Sequence, residues 1–230
     1  MKLLFIFFSL LINNIPLNAQ EPTNQLDEKG LKHGKWLGYY EDTKNLRYEG
    51  VFEHGIEQGI FNFYDNRTKK TLLATRDFTK GNGQVYTIFY NEKGLKVSEG
   101  LLINKKREGK WLYYHLNSTD VMTLEFYKND QLNGLKQVFY KSNKIAEETN
   151  YILGKKEGLY KKYAENGVVL EEVTYKNDER NGTVIYRNTD NQIITKGFYV
   201  NDIKRGVWTT YENGKVVKEE KITSKYKKRN

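Results

Sequence analysis

The chain has 230 residues, with 38 Lys or Arg against 29 Asp or Glu, a formal net charge of +9 and no Cys. That composition excludes a disulfide scaffold, a thiolate zinc site and a cysteine nucleophile. With 38% hydrophobic and 14% aromatic residues it carries enough apolar surface to offset the entropy of ordering, which excludes wholesale disorder.

Residues 1–19 are expected to be a signal peptide. Lys2 gives the positive start, Leu3 to Ile12 form an apolar run, and Leu17-Asn18-Ala19 places a small residue ahead of Gln20. The run is shorter than the roughly 20 apolar residues of a spanning helix. No Cys follows it to accept a lipid. The expectation is an exported protein, periplasmic, cell-surface or secreted, whose net charge falls to +8 with the loss of Lys2. Residues 20–26 read as a linker.

From 27 to 222 the chain repeats itself. Starting at Gly34, equivalent glycines stand at Gly59, Gly83, Gly109, Gly134, Gly158, Gly182 and Gly206, giving eight copies spaced by 24 to 26 residues. Two residues after each stand Trp36, Phe61, Val85, Trp111, Lys136, Tyr160, Val184 and Trp208, and only Lys136 breaks the apolar rule. Five after it stand Tyr39, Tyr64, Ile88, Tyr114, Phe139, Tyr163, Arg187 and Tyr211. Seven before it come Phe52, Leu102, Tyr127, Tyr151, Tyr175 and Tyr199, while Arg76 departs in the third copy. The fourth position before the glycine holds Gly30, Gly55, Gly154, Asp130, Asp178 or Asp202. Gly and Asp tolerate a left-handed backbone, so this column predicts positive φ.

Each copy reads as two short strands rich in aromatic and β-branched residues, as in Lys110-Trp111-Leu112-Tyr113-Tyr114. Asn166-Gly167 and Asn213-Gly214 are strong hairpin signals, and no Pro follows Pro22 to break a ladder. The predicted fold is all-β: an elongated antiparallel β-hairpin repeat, about 16 strands over eight repeats, ending in a basic tail at 223–230. Residues two and five after the glycine have opposite parity, so either both sheet faces carry rings or a bulge realigns them.

Little in the chain points to chemistry. His33, His54 and His115 lack a carboxylate or second His at metal-ligand spacing. Neighbours on a strand face opposite ways, so Glu147-Glu148, Glu171-Glu172 and Glu219-Glu220 are poor acid/base pairs. One member of each is expected to join a charge ladder with lysines on adjacent strands. No nucleophile elbow or phosphate loop occurs. No catalytic residue, cofactor or metal is expected. Trp36, Tyr39, Trp111, Tyr114, Trp208 and Tyr211 form a candidate binding surface, although the same columns suit core packing.

Tyr48-Glu49-Gly50-Val51-Phe52-Glu53-His54-Gly55-Ile56-Glu57-Gln58-Gly59 resembles the core of a MORN repeat. Later copies, such as Gly206-Val207-Trp208-Thr209-Thr210-Tyr211-Glu212-Asn213-Gly214-Lys215, resemble the bacterial MORN-variant repeat, a family of β-hairpin repeat proteins with some antitoxin-like members. The pattern departs in copy three, where Gly81-Asn82-Gly83 follows Phe78, and in copy seven, which lacks the second aromatic. The resemblance implies a non-catalytic surface for protein or membrane-surface binding and transfers no ligand residues. The expected partner is a protein. The alternative is anionic lipid or polysaccharide at the cell envelope; no specific nucleic acid is expected. The charged last strand near Lys215 and Lys218 should limit the chain to a monomer or weak oligomer.

Overall fold

The computed structural model describes residues 22–68 and 70–223; the expected leader and residues 224–230 of the tail lie outside the described residues. β1 (Gln25–Leu26) and β2 (Lys32–Tyr39) open the sheet. Then come β3 (Leu46–Glu53), β4 (Ile56–Tyr64), β5 (Leu72–Asp77), β6 (Gln84–Tyr90), β7 (Lys96–Ile103), β8 (Lys106–Tyr114) and β9 (Val121–Lys128). β10 (Gln131–Leu132), β11 (Gly134–Phe139), β12 (Ile145–Ile152), β13 (Lys155–Tyr163) and β14 (Val169–Lys176) continue it. β15 (Glu179–Arg187), β16 (Ile193–Val200), β17 (Ile203–Glu212) and β18 (Lys215–Ile222) complete it.

These 18 strands form one antiparallel meander, each bonded to its neighbours in sequence, with β10 and β11 together opposing β9. Two strands exceed the expected sixteen for local reasons. Asn133 splits β10 from β11, and β1 comes from the stretch read as a linker, pairing Gln25 with His33 and Leu26 with Lys32. Asn24 extends that cover: its side chain both accepts from Leu37 N–H and donates to Leu37 C=O.

Tight turns join the strands within a repeat. His54-Gly55, Asn104-Lys105, Asn129-Asp130, Leu153-Gly154, Asn177-Asp178 and Asn201-Asp202 each place two consecutive residues at positive φ, the type I′ geometry whose twist matches the strands it joins. The column four residues before the repeat glycine is thus left-handed, as its Gly and Asp residues predict. In those six turns the residue before it is left-handed too. The eight glycines of the sequence repeat, from Gly34 to Gly206, also have positive φ. Beside Gly59 the register jumps: Val51 opposes Gln58 but Glu49 opposes Asn62, so Gly59, Ile60 and Phe61 stand against Gly50 alone. The same jump recurs between β7 and β8, β12 and β13, β14 and β15, and β16 and β17.

A second bulge marks the other end of every copy, at Gly38/Tyr39, Phe63/Tyr64, Phe89/Tyr90, Tyr113/Tyr114, Val138/Phe139, Lys162/Tyr163, Tyr186/Arg187 and Thr210/Tyr211. It settles the register of the two irregular copies. Copy seven stays in phase, with Arg187 in the tyrosine column. Copy three is displaced by two residues: Tyr90, not Ile88, takes the tyrosine column, and Thr87, not Val85, takes the ring column. Phe78 takes the place that Arg76 left vacant, packing edge-on to Phe61 at 5.3 Å as Phe52 packs on Trp36 at 6.0 Å. The cause is the loop 78–83, which replaces the tight turn, while the β5–β6 ladder runs from Ala74↔Phe89 to Asp77↔Tyr86 without a jump.

Both faces carry rings. Tyr48, Phe52, Phe61 and Phe63 share one face, where the centroids of neighbouring rings lie 5.1 to 6.4 Å apart, while Asn62 and Tyr64 reach Glu49 on the other. The first, the ring face, supplies the core: Phe61, Trp111, Trp208, Tyr199, Val173 and Val184 are buried there. Burial within a single sheet comes from rings closing over one another and over small residues on the next strand. Phe61 lies on Gly50, Trp111 on Gly100 and Trp208 on Gly197, each so close that a Cβ on the glycine would fall within 3 Å of the ring. Where the glycine is absent the partner changes with it, as in Thr149 opposite Tyr160 and Val173 opposite Val184. Lys136, the one charged residue of the ring column, follows the same logic, because its ammonium lies 2.7 Å from the buried carboxylate of Glu125 in the glycine position.

Candidate functional site

The face opposite the rings is built by the second bulge. At each copy it inserts one residue into the following strand: Arg47, Leu73, Val97, Met122, Ala146, Leu170, Ile194 and Val217. Seven of the eight are apolar, and each sits beside the Tyr, Phe or Arg that follows the bulge. Val97, Met122, Ile194 and Val217 are among the exposed large apolar side chains, as are Tyr39, Val51, Ile60, Tyr86, Leu159, Phe198 and Val207 on the same face. An apolar stripe therefore runs across the sheet from copy to copy, opposite the core.

Carboxylates hold the stripe's tyrosines. Tyr64 O–H donates to Glu49 at 2.5 Å, Tyr163 to Glu148 at 2.6 Å, and Tyr114 to Glu99, which also accepts from Lys96 at 3.0 Å. The hydrogen bond from Tyr64, then that from Asn62, holds the Glu49 carboxyl below its ordinary range. The phenols move the other way. Burial, then the neighbouring carboxylate, pushes Tyr64 and Tyr163 up to about 12, and burial with the Glu99 charge does the same to Tyr86. These tyrosines stay neutral across the physiological range and present an apolar ring edge rather than an anion.

Lysines complete the row. Lys161 stands between Glu148 and Glu172 on this face, and Lys162 between Glu147 and Glu171 on the other, so both members of each Glu pair face a lysine in register. Glu219 and Glu220 oppose Thr209 and Trp208 instead.

The six candidate residues divide between the two faces. Trp111 and Trp208 are buried at 3% and 6% exposure on the ring face, and Trp36 is half-buried there with its indole N–H donating to Gln25 C=O at 3.0 Å. Tyr39, Tyr114 and Tyr211 lie on the stripe face, where Tyr39 is 51% exposed. The tyrosines thus belong to an accessible surface and the tryptophans to the core. Of the histidines, His54 Nδ1 is 2.6 Å from Asp27 Oδ2, and His115 Nε2 is 3.1 Å from Phe139 C=O. No group of three or more His, Asp or Glu among the described residues is placed to hold a metal.

Sequence reasoning missed one column. Two residues before the glycine, Lys32, Arg107, Lys156, Arg180 and Lys204 set a cation over a core ring: Phe52 at 4.7 Å, Tyr127 at 3.9 Å, Tyr175 at 4.9 Å, Tyr199 at 4.2 Å and Trp208 at 4.1 Å. The signal was present as a basic residue in five of eight copies, but an excess of lysine everywhere hides it.

The family profile described as MORN repeat variant matches residues 132–152 and 156–177. The chain carries MORN-variant repeats there, and the same bulge runs through all eight copies. MORN repeats are in general non-catalytic modules that bind protein or lipid. A search of curated proteins returns no match. Among the solved structures, two illustrate a weak likeness. The crystal structure of a GtfA/B complex is 14% identical, with a TM-score of 0.29, over 43% of this chain and 20% of that one. An S. aureus TarM mutant in complex with Fondaparinux, alpha-GlcNAc-glycerol and UDP is 15% identical, with a TM-score of 0.26, over 54% of this chain and 19% of that one. The chain spans about a fifth of the length of these structures, and likeness at this level carries no functional argument.

Proposed function

We propose that this is an exported, non-catalytic docking protein that binds a protein partner of the cell envelope along its apolar stripe. The observation that carries the reading is the division between faces. Paired rings and glycines consume one face, while the other exposes Tyr39, Val51, Tyr86, Val97, Met122 and Phe198 over many strands. Contiguous exposed apolar surface of that kind marks an interaction site. The charges interleaved with it have both signs, with Lys35, Lys110 and Lys161 beside Glu49, Glu99, Glu148 and Glu172. A mixed field matches a protein surface of alternating charge and repels part of an anionic membrane.

The test places a photo-reactive residue at Met122 or Val97 on the stripe, and a control at Lys204 on the ring face, in cells making the full chain. The expected result is one discrete protein adduct from the stripe positions that survives moderate salt and disappears when Tyr114 and Tyr86 are replaced by Glu. No adduct, together with binding to vesicles rich in anionic lipid that collapses as salt rises, overturns the reading in favour of a lipid surface. Export is checked separately: the mature protein should begin at Gln20, and an intact Met1 in envelope fractions refutes it.

A further inference from the structure

The third repeat breaks the ring face at one place, and what replaces the rings is a groove with an unanswered cation. Three columns become small together. The ring column holds Thr87, the next aromatic column holds Leu102, and the position that carries a cation in five other copies holds Gly83. The space left is a cavity of about 510 Å³ walled by Ile56, Phe78, Val85 and Leu102, with Arg76 at its side and Lys105 at its rim. That volume lies within the range of small-ligand sites, roughly 300–1,000 Å³.

Arg76 occupies the column that holds glycine beneath Phe61, Trp111 and Trp208. Its guanidinium stacks on Phe63 at 4.9 Å, its Nε is shielded from solvent without a hydrogen-bond partner, and no ion pair among the described residues includes it. Thr87, directly opposite in the ladder and fully buried, also has a hydroxyl with no partner. The fold does answer a charge in this column elsewhere, where Glu125 meets Lys136 and the Tyr127 hydroxyl. Arg107 and Arg180, on the same face, bond to Asp130 and Asp202 at 2.8 and 2.9 Å. Unpaired buried polar atoms are rare because each forfeits its hydration.

We infer that this groove binds a carboxylate carried on a compact apolar body. The carboxylate pairs with the Arg76 guanidinium, with Lys105 adding long-range attraction, and the apolar body replaces the missing ring between Phe78 and Leu102. Glu57, the one acid on the lining, stands at the turn side of the groove and opposes Phe52 in the ladder, so it disfavours dianions. The inference concerns the ring face and does not rest on the docking stripe. An aromatic or aliphatic carboxylic acid and the free C-terminus of a peptide ending in an apolar residue share this chemistry.

Amide-resolved NMR titration of the full chain with 3-phenylpropionate and with its uncharged amide tests it. The expected result is saturable shifts at Gly81, Gln84, Asn104 and Lys105 with the acid, and at least a tenfold weaker response with the amide. Arg76→Gln should lose at least tenfold in affinity. Lys105→Glu, at an exposed turn where folding is not at stake, should lose several-fold. A short peptide ending in Phe with a free carboxylate, compared with its amidated form, separates the sources: tighter binding than 3-phenylpropionate assigns a chain terminus, weaker binding a small acid. Equal binding of acid and amide, no shift at millimolar acid, or unchanged affinity in Lys105→Glu and Arg76→Gln overturns the inference.

Discussion

The glycine under each buried ring can be exchanged only together with that ring. Gly100 has no left-handed φ, so steric contact alone forbids a side chain there: an added Cβ would lie about 2.5 Å from Trp111 Cε2, roughly 1 Å inside ordinary carbon contact. Gly100→Val should therefore cost about 2–3 kcal/mol by overpacking. Trp111 is 3% exposed, and its indole N–H donates to Leu101 C=O at 3.0 Å. Trp111→Val should cost about 3–4 kcal/mol through the cavity and the orphaned carbonyl. Copy seven already uses the alternative, since Val173 and Val184 face each other there with no exposure. Installing both valines recreates that pair in copy four, so the double variant should be about 2 kcal/mol more stable than the sum of the singles, a coupling within the range seen for residues in contact. Urea denaturation by far-UV circular dichroism measures the four corners of the cycle, and Trp36 and Trp208 remain as fluorescent probes. Copies contact mainly their neighbours, so amide exchange should place the loss in β7 and β8. Additivity within about 0.5 kcal/mol would refute the pairing logic.

Three further outcomes follow from the same geometry. Tyr64, Tyr86, Tyr163 and Tyr186 are pushed up to about 12 by burial, whereas an unfolded phenol ionises near 10. The folded form keeps protons that the unfolded form gives up, so stability held below pH 10 should be lost as pH rises toward 12. Phenolate absorbance should lag behind that of free tyrosine, and uniform titration near pH 10 with the sheet intact contradicts this. Lys136→Met leaves the Glu125 carboxylate with only the Tyr127 hydroxyl and should cost about 2–4 kcal/mol, whereas Glu125→Gln with Lys136→Met should cost about 1 kcal/mol or less; thermal unfolding showing the double variant to be the worse of the two refutes the pair. Leu153 stands at φ +48 in an exposed type I′ turn where other copies hold Asn. Leu153→Asn should gain about 0.5–1 kcal/mol, read as a rise in Tm, and a fall refutes the strain.

The period, the strand composition and the left-handed turn column were all legible, because each rests on properties of single residues. Periodic glycine and aromatic columns announce a hairpin repeat, and Asn-Asp or a turn glycine announces positive φ. The third copy was misaligned by two residues because Gly83 offers the same letter as the other repeat glycines. Only the ladder reveals that it belongs to a loop and that Phe78, Thr87 and Tyr90 carry the columns. The stripe was hidden for a related reason. Val97 or Met122 looks like any strand residue until a bulge sets it beside a tyrosine of the preceding strand. The groove at Arg76 was legible only as an anomaly, an arginine in an aromatic column, since its lack of a partner is a fact of three dimensions.

The two faces differ in how freely they can change, and that difference predicts what the ribbon tolerates. On the ring face each residue is matched across the ladder, so substitutions must come in pairs; on the stripe face the residues inserted at the second bulge vary alone. Whole repeats are the natural unit of change, because a regular copy carries both bulges and one matched pair. Removing residues 158–181 joins Glu157 to Gly182, two equivalent points 24 residues apart. It brings Thr149 opposite Val184 and leaves the Leu153-Gly154 turn in place. The shortened chain should fold with the same per-residue circular dichroism and a modestly lower midpoint, since one inter-repeat interface is lost. A deletion of half that length, over 158–169, joins Glu157 to Leu170, two points that are not equivalent in the repeat, and should fail to fold. Equal behaviour of the two deletions would mean that the bulges do not define the unit of the fold.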